Sequence, residues 1–386
     1  MRPFSAIFVP GELEDALSDR AWLEAMLDAE RGLVNALSLA GLVPAPAATA
    51  VADALRADLY DVETLATEAR GPGNPVEPLV RAIRARVGDE HAAHVHRGAT
   101  SQDILDTAAM LVAQRAVRLV DAELAGAAAA CARLAEEHRR TIMAARTLLQ
   151  QAVPTTFGYK AAGWLVGLTD ARRRLAAVQL PAQLGGAAGT LAALGGDGTE
   201  VLRLYAVELD LREPALPWHT QRGPVLELAA ALSAAAVAVG KIARDIVLLA
   251  QTEVAEVAEA EGGASSTMPH KQNPVQSVLA DACARHARAN AALLAECGVQ
   301  EHERAVGAWH AEWGALNGSL AATGAAAAAL GRSLAGLKVD AQRMRANLSP
   351  DTLSEARRLG LASQEPEDYL GSTDALIDRA LALHRG

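Results

Sequence analysis

The chain has 386 residues, 51 % of them hydrophobic but only 3 % aromatic, and carries a formal charge of −10 with a pI near 5.5. That acidity excludes a nucleic-acid binder or a basic membrane-surface protein. Apolar mass supplied mainly by alanine and leucine favours helix over sheet.

Met1-Arg-Pro-Phe4 opens no secretory signal, because no uninterrupted apolar stretch follows it. The spacing of Leu23, Met26, Leu27, Leu33, Val34 and Leu37 predicts a helix over 19–39, capped by Ser18 and ended by Gly41. Residues 43–75 are broken by Pro44, Pro46, Gly71, Pro72, Gly73 and Pro75 into shorter pieces. From Ser101 to about Arg140 only Gly126 interrupts helix-forming residues, which predicts a rod of about 60 Å at 1.5 Å per residue. Thr100 stands at its N-cap with Asp103 in its first turn. Further long helices are expected from Gly223 to about Glu261, Pro274 to about Cys297 and Ala311 to Leu337, the last interrupted at Gly314, Gly318, Gly324 and Gly331. Val225 to Lys241 contains Glu227 and reads as a buried core helix, not a membrane span. Val225 to Val239 is apolar around most of its circumference, so it must be covered on all sides. One chain cannot easily cover several such helices, which points to a bundle completed by other subunits. The expected organisation is all-α: an N-terminal helical domain over 1–99, a long-helix bundle over 100–338 and a short helical cap over 339–386. Cys131, Cys283 and Cys297 have no metal-type spacing and fit free thiols in a reduced cytoplasm.

Three polar clusters punctuate this apolar chain. Residues 262–274, Gly-Gly-Ala-Ser-Ser-Thr-Met-Pro-His-Lys-Gln-Asn-Pro, form a loop able to close over a ligand. Asn273 before Pro274 suits an N-cap, and the exposed amides beside Lys271 would make an anion site. The run His96-Arg-Gly-Ala-Thr-Ser-Gln-Asp-Ile-Leu-Asp-Thr107 is a polar turn feeding the first long helix. The third cluster is Arg146-Thr-Leu-Leu-Gln-Gln-Ala-Val-Pro-Thr-Thr-Phe-Gly-Tyr-Lys160. The histidines at 91, 94 and 96 suggest a metal clip, but no cysteine or carboxylate set completes it, so no metal is expected. Gly185-Gly-Ala-Ala-Gly189 follows no strand and reads as a tight inter-helix turn, not a dinucleotide loop.

The string Ser265-Ser-Thr-Met-Pro-His-Lys-Gln-Asn-Pro274 resembles the signature of the fumarase/aspartase superfamily, and His96–Asp103 and Arg146–Lys160 resemble its other two regions. Within it, Leu184–Leu194, Pro217-Trp-His-Thr-Gln-Arg222, Gln300-Glu-His-Glu-Arg304 and Trp309-His-Ala-Glu-Trp313 are similar to the bacterial 3-carboxy-cis,cis-muconate cycloisomerase family. The resemblance implies a cofactor-free homotetramer whose active sites are each shared by three subunits. It places Ser265 as general base, with Lys271 stabilising its alkoxide. It implies substrate binding by His96, Arg97, Thr100, Ser101, Gln150, Gln151, Lys160, His219, Arg222, Asn273 and Arg304, with His302 a further candidate cation. The implied substrate is a tricarboxylate, for which arginines offer bidentate contacts. His310 and Glu312 have the alternative reading of a buried structural pair.

Three departures stand out. Ala264 replaces the usual glycine, the C-terminal segment is short, and Leu148 stands where relatives often carry a histidine. Leucine cannot protonate a leaving group. Hydroxide or an amine leaves poorly without an acid, whereas a carboxylate, with a pKa near about 4, leaves unaided. The missing acid therefore fits lactone chemistry, in which the substrate's own carboxylate adds to the alkene. The alternatives are a C–N lyase using an acid from elsewhere, a nitrosuccinate-type lyase releasing nitrite, and a non-catalytic relative.

Overall fold

The computed structural model describes residues 7–260, 263–264, 268, 271–361 and 365–386, and it is mostly helical. The principal helices are α1 (Asp19–Leu39), α2 (Ser101–Glu137), α3 (Phe157–Ala177), α4 (Gly198–Glu208), α5 (Gly223–Leu249), α6 (Val275–Glu296), α7 (Ala308–Ala335) and α8 (Thr373–Arg385). Ser18 caps α1 by accepting from the Ala21 amide at 3.2 Å. A full capping box opens α2: Thr100 accepts from the Asp103 amide while Asp103 accepts from the Thr100 amide.

Helices α2, α3, α5, α6 and α7 form a bundle in which α2, α5 and α7 run one way and α3 and α6 the other. Cross-links fix which ends lie together: Gln102 donates to the His219 carbonyl and Trp309 to Asp106 at one end, while Arg133 donates to the Leu334 carbonyl towards the other. The α7 helix runs through the centre. Its four glycines do not break it, and every residue from Ser319 to Leu330 is buried. Small side chains there let neighbours close in. A Cβ at Gly324 would stand 2.2 Å from Leu13 Cδ2 and 3.3 Å from Val120 Cγ2. Packing at that density is what holds apolar helices in one register.

The chain does not cover its own apolar helices. Along α5, Val237 is 54 % exposed and Ala230 is also open to solvent, and Val278 and Leu293 on α6 are similarly bare. Helix α5 is long and apolar enough to cross a membrane by composition, but its inner face is packed into the bundle.

One feature goes against the all-helical expectation. Residues 142–156 form an antiparallel hairpin, β1 (Ile142–Thr147) with β2 (Gln150–Thr156), with a register irregularity between Ala144 and Arg146. Its two-residue tip is Leu148-Leu149, with φ of +51° and +66°. Such a turn favours Asn-Gly, because left-handed φ crowds a Cβ. Both leucines point outward, 97 % and 66 % exposed.

Candidate active site

The three polar clusters fall at two ends of the bundle. The His96–Thr107 region, His219, Arg222 and Arg304 lie at the start of α2. The hairpin, Lys271 and Asn273 lie at its far end. At 37 residues, α2 puts the ends about 55 Å apart.

At the first end Asp103 is the hub. Its carboxylate accepts from the amides of Thr100, Gly185 and Gly186, each at 2.9 Å, and from His219 Nε2 at 2.6 Å. The glycine pair is required: a Cβ on Gly185 would meet Pro217 at 2.8 Å and His219 at 2.9 Å, and Gly186 has φ +68°. The expected tight turn is thus a cradle for a helix-capping carboxylate.

Behind it lies a buried cluster. The Arg222 guanidinium contacts Asp106 at 2.7 and 3.0 Å and Glu312 at 2.7 and 3.1 Å. Gln300 also donates to Glu312, and Trp309 to Asp106. Burial pushes the Glu312 carboxyl above its usual range, partly offset by Arg222 and reinforced by Asp106. Glu312 is therefore a structural group, as one reading of the sequence had it, but its partner is Arg222. His310 faces outward and meets the Gly73 carbonyl.

These contacts correct two assignments. His219 and Arg222 are buried and committed to Asp103, Asp106 and Glu312, so they hold the end of α2 rather than meet a substrate directly. What this end offers a ligand lies further out. His96 is held at φ +60° with Nδ1 2.6 Å from the buried Glu30 carboxylate. Burial alone would lower this imidazole, but Glu30 more than offsets that and holds its pKa above the ordinary histidine value. Arg97 is half-buried and donates to the Leu42 carbonyl. Arg304 reaches Gln102 Oε1 at 2.9 Å and the Ala187 carbonyl at 3.0 Å. The Thr100 hydroxyl is used by its cap, while the half-buried Ser101 hydroxyl bonds to no protein group among the described residues. His302 is exposed, and its carbonyl accepts from Thr220.

At the far end a cleft of about 1350 Å³ is lined by Lys271, Gln272, Asn273, Gln251, Lys338 and Asp340. Gly263–Ala264 pairs antiparallel with Gln272–Asn273. A Cβ on Gly263 would stand 2.4 Å from Val275 Cγ2, so a larger residue there would have to push that side chain aside. Lys271 is exposed. Ser265 lies outside the described residues, and so does the Ala264 side chain.

Two more expectations fail at this end. Asn273 is not the N-cap of α6; its side chain donates to the Gly263 carbonyl at 3.1 Å, and the helix starts at Val275. The helix amides are taken instead by Glu259, which accepts from Gln276 N at 2.9 Å and Ser277 N at 2.8 Å. A carboxylate already fills the place where an anion was expected. Gln151 is also spent, donating to the Asn347 carbonyl at 2.7 Å and accepting from Ser349 N at 2.9 Å. It straps the hairpin to the C-terminal cap. Gln150 is exposed beside the leucine tip. Lys160 lines a different cleft from Lys271.

Sequence reasoning missed Glu259, Glu256 and Glu30 as partners. Glu256 is buried against Arg146, at 2.5 and 2.9 Å, and Asn347 joins it at 3.0 Å. A glutamate on an otherwise apolar helical stripe, as Glu30 is with Leu23, Leu27, Val34 and Leu37, was the available signal. Among the described residues no group of three or more His, Cys, Asp or Glu side chains is arranged to hold a metal.

Neither end alone assembles a base, cations and an oxyanion partner. Comparison with known proteins extends the geometry. A lyase family profile matches residues 11–288. The chain is 49 % identical to the nitrosuccinate lyase of Streptomyces davaonensis, covering 87 % of this chain and 74 % of that one. It is 45 % identical to the 3-carboxy-cis,cis-muconate cycloisomerase of Bradyrhizobium diazoefficiens, covering 95 % and 83 %. The crystal structure of the 3-carboxy-cis,cis-muconate lactonizing enzyme from Pseudomonas putida superposes with a TM-score of 0.91 at 36 % identity, over 99 % of this chain and 98 % of that one. In profile, sequence and fold together, this chain belongs to the lyase family of the fumarase/aspartase superfamily.

Proposed function

We propose that the chain is a lactonising cycloisomerase acting on 3-carboxy-cis,cis-muconate, a step in protocatechuate breakdown, without a cofactor and in the cytoplasm. The observation that carries this reading is Leu148. It stands fully outside the chain's own core at the hairpin tip, with no proton to give. A reaction whose leaving or attacking group is a carboxylate needs none. Ser265 carries the proton at the carbon α to a carboxylate, and Lys271 stabilises its alkoxide. The substrate's own carboxylate adds to the alkene, and holding both on one molecule supplies the proximity. His96, Arg97, Thr100, Ser101 and Arg304 receive the substrate's carboxylates, with Gln150 and Asn273 at the opposite rim. The relatives at 45 % and 44 % identity named as this cycloisomerase support it.

The same geometry supports assembly of several copies, which we read as a homotetramer. Groups about 55 Å apart on one rod meet only when another copy runs antiparallel beside it. The bare face of α5 supplies the apolar area for that contact.

Nitrite is also a weak base and leaves without an acid. The relative named nitrosuccinate lyase, at 49 % identity, makes nitrite release the second reading. An ultraviolet assay separates the two. Purified protein should bleach the diene absorbance of 3-carboxy-cis,cis-muconate and release lactone, at a kcat/KM at least about 10² above that for nitrite release from nitrosuccinate. The reverse ratio replaces the first reading with the second.

A further inference from the structure

At the base of the hairpin, β1, β2, α3, α5 and α8 enclose a cleft of about 510 Å³. Arg146, Thr155, Tyr159, Lys160 and Lys241 line it, over a floor that includes Leu376. Two of its cations are already matched. Arg146 holds Glu256, and Lys241 pairs with Asp245, which also accepts from Trp164 Nε1 at 2.8 Å.

Lys160 is not matched. Among the described residues its ammonium makes no hydrogen bond or ion pair, and the same holds for the hydroxyls of Thr155 and Tyr159. Asp245 and Glu256 act on Lys160 only through space, opposed by Lys241 and Arg146, while burial is the largest influence and lowers its pKa. The three cations Arg146, Lys160 and Lys241 against the two carboxylates Asp245 and Glu256 leave one positive charge over. A half-buried ammonium without a protein acceptor must be satisfied from solution, and an anion does so while also cancelling its charge.

We infer that this cleft is an anion-binding site of its own, taking one small carboxylate or phosphate between Lys160, Tyr159 and Thr155. It shares no lining residue with the Lys271 cleft. Thr155 lies six residues along β2 from the leucine tip, about 20 Å at 3.3 Å per residue. An anion here would lean on the hairpin through Thr155 and Arg146 and on α5 through Lys241.

Isothermal titration of the assembled protein with inorganic phosphate, and separately with succinate, tests the site. Saturable binding at one anion per chain is expected, weakened at least about tenfold in Lys160→Met and restored in Lys160→Arg. Leu376→Trp, which fills the floor without changing charge, should abolish it. Tighter phosphate assigns the site to phosphoryl groups and tighter succinate to carboxylates. Unchanged affinity in both Lys160→Met and Leu376→Trp overturns the proposal. So does the absence of saturable binding by either anion, as when a neighbouring subunit's carboxylate is already seated there.

Discussion

Replacing Arg222 by methionine should cost about 3–5 kcal/mol of stability, enough to unfold many domains near ambient temperature. The substitution leaves Asp106 and Glu312 facing each other with no cation, both buried and both hydrogen-bonded to groups that cannot neutralise them. The size of the effect comes from the orphaned charges and not from the lost ion pairs. A triple variant, Arg222→Met with Asp106→Leu and Glu312→Leu, should therefore recover most of the loss. Urea denaturation of the three proteins decides the matter. A loss below about 1 kcal/mol for Arg222→Met would show that water reaches the cluster and that the residue is free for a ligand.

Replacing Ser265 by alanine should lower kcat about 10²- to 10⁴-fold, the range for removal of a positioned proton carrier, with melting temperature unchanged. Lys271→Met should fall by a similar factor, because the two act as a unit and their losses do not add. Full turnover by Ser265→Ala would remove the serine from the mechanism. The same variant tests the shared site. Mixed with Arg304→Met chains after dissociation and reassembly, it should regain activity in about a quarter of the sites, since two independent chains must each contribute an intact residue. No regain would place both residues in a site built by a single chain.

The long helices could be read from sequence because each carries its own evidence. Ser18 and Thr100 cap where expected, and the apolar spacing of α1 faces inward at Leu23, Leu27, Leu33 and Leu37. The hairpin could not. Its strands are short, contain Pro154 and a register irregularity, and turn through two leucines that no turn preference selects. The candidate site was legible as a set of polar strings but not as a set of partnerships. Asp103 and Asp106 were visible as first-turn carboxylates; that one meets His219 and the other Arg222, each 116 residues away, depends on how the helices stack. Charge type is written in the sequence, while which charges cancel is settled only in three dimensions. For the same reason His219, Arg222 and Gln151 read as binding groups before the structure showed each of them occupied.

The alanine-filled interior of α7 has a thermal consequence. Unfolding raises heat capacity through newly wetted apolar area and lowers it through newly wetted peptide groups, for a usual net of about 12–15 cal/mol/K per residue. A core built from alanine, with 3 % aromatic residues in the whole chain, wets less hydrocarbon for each peptide it exposes. The increment should sit below that range, and the curve of stability against temperature should be correspondingly broad. Cold would weaken such a core less than it weakens one built from leucine and phenylalanine, because less of its cohesion is borrowed from water.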